Sequence, residues 1–130
     1  MSLDLNKSYK AILAAARQGK FIAYGDVAAA CGIEWKKARR PIPLHLDQLV
    51  RISHERGWPL ISSIVVNKDN LETGALEGDS LSGFLAAAKK LGLTIDDRQG
   101  FLREQQQAVF AWAGTAPDEL GVEVEASSKD

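Results

Sequence analysis

Cysteine is almost absent from this 130-residue chain, with Cys31 the single one. A lone thiol excludes an internal disulfide and any metal site built from clustered cysteines. Histidine is nearly as scarce. His45 and His54 stand nine positions apart, about two and a half helical turns, so on one straight helix they face different ways. Asp26, Asp47 and Glu55 are scattered without the spacing of a catalytic carboxylate pair. These shortages leave no metal site, no cofactor site and no catalytic constellation. Long apolar runs are missing too: none approaches the roughly 20 residues that cross a bilayer, so no membrane partner is expected. Met1 to Asp4 lacks the basic and apolar regions of a secretory signal, and a cytoplasmic location is expected.

What is present is an ordinary globular balance, 45% hydrophobic and 25% charged. The net charge of −1 conceals an asymmetry. From Lys7 to Arg56 ten Lys/Arg face four Asp/Glu, whereas from Gly57 to Asp130 six face twelve. A segregated basic half suits phosphate binding, because phosphate contacts release counterions and supply most non-specific affinity for DNA.

Apolar spacing predicts a helix over Tyr9 to Arg17 behind Ser8 as N-cap, ended by Gly19. Phe21 to Ala23 is short and extended. Tyr24-Gly25-Asp26 opens a second helix closed by Gly32, and a basic helical piece runs from Trp35 to Arg40. Helical spacing resumes from Leu44 to Arg56 after Pro41 and Pro43. Ile61 to Val66 reads as a β-strand, and Asn67 to Gly78 as a mobile loop or wing. Two further helices are expected, one from Ser80 to Leu91 and one near Gln99 to Ala113, with Asp96-Asp97 at the N-cap of the latter. The predicted fold is mainly α with a small β element: a winged helix-turn-helix domain over residues 1–114 with extra C-terminal helices. Residues 115–130 are expected to form a flexible acidic tail that adds little stability.

The segment Gly19-Lys20-Phe21-Ile22-Ala23-Tyr24-Gly25-Asp26-Val27-Ala28 resembles the G-x-x-I-S-Y-G-x-[LV]-A segment of alkylguanine-DNA alkyltransferases and of the non-catalytic alkyltransferase-like proteins. Members of that family continue with a glycine-turned helix bearing A-R and a P-C-H-R-V-V active-site strand. Here Ala38-Arg39-Arg40 follows Gly32 in the same order, and Pro59 to Val66 stands where the active-site strand would be. The resemblance spans roughly Tyr9 to Gly92. The alkyl-accepting cysteine is missing, with Ser62 or Ser63 nearest its place, and its His and Arg neighbours are missing as well. A serine hydroxyl is a far weaker nucleophile than a thiolate. The resemblance therefore implies DNA engagement without alkyl transfer. Tyr24 would help to rotate a nucleotide out of the duplex, and Arg39, or else Arg40, would fill the gap.

The sequence thus points to a non-enzymatic module for double-stranded DNA, of the kind that recognises damaged, modified or mismatched sites. Tyr24, Lys36, Lys37, Arg39, Arg40 and Lys68 are the candidate DNA contacts. Each has a structural alternative: a packing role for Tyr24, a solvated helix face for the cations, an ordinary surface turn for Lys68. The competing functional reading is a protein-interaction module on the same scaffold, meeting another chain through Trp35, Trp58 and the acidic tail.

Overall fold

The computed structural model describes residues 2–121, and its elements follow the apolar repeats of the sequence. Helix α1 (Leu5–Arg17) buries Tyr9, Ile12, Leu13 and Ala16, spaced i, i+3, i+4, i+7. Its N-cap is Asp4, whose carboxylate accepts from the Lys7 amide at 3.0 Å. Ser8 is not the cap: it lies one turn before Ile12 on the buried stripe and points inward. Strand β1 (Ile22–Ala23) leads directly into α2 (Tyr24–Ala30). Gly32, at φ 76°, makes the left-handed turn into the short α3 (Trp35–Ala38). The basic piece is therefore a single helical turn, and Arg39 and Arg40 lie beyond its end.

Helix α4 (Ile42–Glu55) starts two residues earlier than its apolar spacing announces. Pro41 is its N-cap and Pro43 falls in its first turn, where a missing N–H costs nothing. Strand β2 (Val65–Val66) pairs in parallel with β1, Ile22 opposite Val65 and Ala23 opposite Val66. Helices α5 (Gly78–Lys90) and α6 (Arg98–Trp112) complete the framework. Asp97 caps α6 as expected, accepting from the Gly100 amide at 3.1 Å. Helix α5 begins at Gly78 behind Glu77, so Ser80 sits inside its first turn rather than at its cap.

The chain is mainly helical with one small two-stranded sheet. One expected feature is corrected. Ile61–Ile64 is a 3₁₀ turn rather than strand, because all four side chains are buried and tertiary packing overrides β propensity. Side chains replace a strand partner there: Gln105 Oε1 accepts from the Leu60 amide at 2.8 Å. The segment from Asn67 to Gly78 is largely exposed. It holds a 3₁₀ turn at Lys68–Asn70, then folds inward to bury Gly74 and Leu76. Gly74 has φ +73°, and a Cβ there would meet the Phe21 ring at 2.2 Å, so only glycine fits. Buried Gln106 donates to the carbonyls of Ser63 and Gly74 at 2.9 and 2.8 Å and holds the segment in place. No antiparallel hairpin forms among the described residues. No helix among them is long and apolar enough to cross a membrane.

The start of the expected tail is docked. Leu120 and Ala116 are buried in the cluster built around α1. Tyr9, in an aromatic group with Trp58 and Trp112, donates its hydroxyl to the Pro117 carbonyl. Asn6 accepts from the Leu120 amide at 3.0 Å, Lys10 pairs with Glu119 at 2.8 Å, and Arg17 pairs with Asp118 at 3.0 Å. The acidic residues thus neutralise cations of α1 instead of standing free. The remainder of the expected tail, residues 122–130, lies outside the described residues. Truncating a buried leucine leaves a cavity that costs about 2–5 kcal/mol. Leu120→Ala is therefore expected to lower the unfolding free energy by that order, read as a shift of the urea midpoint. An unchanged midpoint would mean that this segment does not dock.

Candidate nucleic-acid interface

Four elements converge on a cavity of about 270 Å³. The start of α2 contributes Tyr24, and Trp35 of α3 contributes the neighbouring aromatic face. Their rings stack with centroids 6.4 Å apart at 28°, and Trp35 is 43% exposed, which places it at the rim. Arg39 follows just beyond α3. Helix α4 presents Ile42, Pro43, Leu46 and Asp47, two pairs at i, i+4 on one face. The first turns of α5 add Asp79, Ser80 and Phe84, and Ser62, Asn67 and Leu76 close the remaining wall.

The walls are apolar with a few polar groups, the usual make-up of a small-ligand site. At 270 Å³ the space falls just below the roughly 300–1,000 Å³ that takes drug-sized ligands, so it suits one ring system. Burial pushes the Tyr24 phenol up, and a hydrogen bond with the Ser80 side chain acts the other way. Burial likewise raises the Asp47 carboxyl, with the Lys90 ammonium opposing it. No ion pair among the described residues engages Arg39, Asp47 or Asp79.

The residues singled out from the sequence are only partly brought together. Tyr24 and Arg39 share the cavity. Lys36 and Arg40 are exposed and line no part of it, while Lys68 follows directly on Asn67 of its wall. Lys37 faces a different hollow of about 700 Å³, alongside Glu34 and His45. Of the two serines nearest the missing cysteine, Ser62 lines the cavity. Ser63 is fully buried, and its hydroxyl has no hydrogen-bond partner among the described residues. Among the described residues no histidine or cysteine lines the cavity beside Ser62. Trp58 and Trp112 are committed to the aromatic group around Tyr9. Among the described residues no group of three His, Cys, Asp or Glu is placed to hold a metal ion.

Sequence reasoning missed Asp47 and Asp79. Asp47 follows core residue Leu46 and stands four after Pro43, so helical periodicity alone could have put it at the cavity edge. Nothing local signals Asp79. Comparison with family models, with curated proteins and with solved structures finds no match to the chain.

Away from the cavity, Ser8 Oγ lies 2.7 Å from His45 Nε2 and 3.3 Å from Cys31 Sγ, tying α1 to α4 and to the end of α2. Burial lowers the His45 pKa, and the Asp4 carboxylate partly offsets this. The unfolded chain therefore binds the proton more readily than the folded one. Stability from neutral His45 is complete above the unfolded value near pH 6.5 and is lost as pH falls through it towards the lower folded pKa. Between pH 7.5 and 5.5 the urea midpoint should fall in the native protein and fall less in His45→Gln. Parallel profiles would remove His45 as the cause.

Proposed function

We propose that this protein is a non-enzymatic binding module for double-stranded DNA whose cavity receives a base turned out of the helix. The observation that carries the reading is the aromatic-walled cavity bordered by unpaired cations. No ion pair among the described residues engages Lys36, Lys37, Arg39 or Arg40. Phosphates are met by the exposed Lys36, Arg40 and Lys68, and α2 with α3 serves as the helix-turn-helix pair of a winged-helix-like scaffold. The similarity of the Tyr24 segment to alkyltransferase-like proteins supports the same reading. Extrusion costs a few kcal/mol, and stacking on an aromatic face returns roughly 1–3 kcal/mol per base. Tyr24 and Trp35 offer such faces, and Arg39, which lines the cavity, would fill the vacated stack.

A second reading, a protein partner seated over Trp35 and Leu44, is favoured by their exposure of 43% and 71%. Salt separates the two, since phosphate contacts weaken steeply with ionic strength and an apolar contact does not. Each phosphate contact adds about 0.9 to the slope of log K against log salt. Lys36→Ala combined with Arg40→Ala should weaken binding to any duplex and reduce that slope by roughly two. A folded double variant with native affinity and slope would overturn the DNA reading.

A further inference from the structure

The charge inside the cavity differs in sign from the charge around it. Arg39 contributes one positive charge to the lining and Asp47 and Asp79 contribute two negative ones, so the lining is net −1. Outside, Lys36, Lys37 and Arg40 are all cationic. A phosphate is accordingly favoured outside the cavity and disfavoured within it. Neither carboxylate has an ion-pair partner among the described residues, so both remain free to accept from a ligand. An ionised carboxylate only accepts hydrogen bonds and attracts positive charge, Asp47 from a half-buried position and Asp79 from the exposed rim. The other polarising surface is the stacked Tyr24–Trp35 pair, whose negative ring faces attract a cation further.

We infer that the cavity selects a flat cationic heterocycle, which in a duplex is a ring-alkylated or ring-protonated base, over the neutral form of the same ring. The inference deepens the base-receiving reading given above and rests on it. Both sources of selectivity act on the ligand's charge: the carboxylates through space, the aromatic pair through its faces. Neutral bases keep the stacking and lose the electrostatic part. Lys90 is the cation that acts on Asp47 from outside the lining, and it tempers that carboxylate without pairing with it.

Two isomeric nucleosides isolate the charge: 1-methyladenosine, cationic at neutral pH, and N6-methyladenosine, which is neutral. Calorimetric titration of the full chain at pH 7 should show 1-methyladenosine binding about tenfold more tightly. Asp47→Asn combined with Asp79→Asn should reduce the preference several-fold, leaving the part due to the aromatic faces, while keeping the affinity for the neutral isomer. Trp35→Ala should weaken both. Free trimethyllysine serves as a cation without a ring, and tighter binding of it than of 1-methyladenosine would overturn the heterocycle. Equal affinity for the two isomers, no measurable binding of either, or an undiminished preference in the folded double variant would also overturn the inference. Free nucleosides carry no phosphate, so failure here leaves the salt-dependent duplex binding standing, and loss of duplex binding is read separately from its salt slope.

Discussion

The parallel pairing of Ile22–Ala23 with Val65–Val66 sets Tyr24 beside Asn67, because each strand runs directly into one of those residues. A sheet this short has little stability of its own, and its four residues are buried on both faces. Packing of α1 and α6 around it has to supply what the ladder does not. Once that pairing is made, α2 starts at a fixed point, Gly32 turns the chain, and Trp35 comes back to stack on Tyr24. The cavity is thus a product of strand register. A slip of one residue would carry Tyr24 away from Asn67 and flip the side chains of the slipped strand.

Helix α6 holds the other side of that register. Gln105 and Gln106 point two adjacent amides at the backbone of the 60–74 segment, one accepting from Leu60 and one donating to Ser63 and Gly74. Buried carbonyls left without such a donor cost about 1–3 kcal/mol each, so these glutamines specify one arrangement of a segment that has no regular ladder of its own. The docked stretch through Gly121 acts similarly on α1, where Arg17 also donates to the carbonyls of Ala113 and Ala116 at 3.1 and 2.9 Å.

The helices were legible because their information is local. Stripes such as Leu81, Phe84, Leu85 and Ala88 repeat at helical spacing, and Gly32 marks its turn without tertiary help. Ile61–Ile64 was misread as strand because its composition is β-like and its partners lie more than forty residues away on α6. The docked acidic stretch escaped notice for the same reason: Leu120 reads as one apolar residue among polar ones until α1 is placed beneath it. Tyr24 and Arg39, singled out by the family resemblance, both line the cavity, whereas the other three cations of the dense cluster do not. The two carboxylates were not singled out, since each takes its meaning only from the wall opposite.

One tryptophan of the three lies where the proposed contact would be felt. Trp35 stands at the cavity rim, whereas Trp58 and Trp112 pack against Tyr9 beside the docked C-terminal stretch. Their indole N–H signals are separable by nuclear magnetic resonance, with Trp35→Phe providing the assignment. On titration with a duplex bearing a single mismatch, the Trp35 signal should shift or broaden while those of Trp58 and Trp112 stay in place. Movement of the Trp58 or Trp112 signals with Trp35 unchanged would put the contact surface elsewhere and contradict the account.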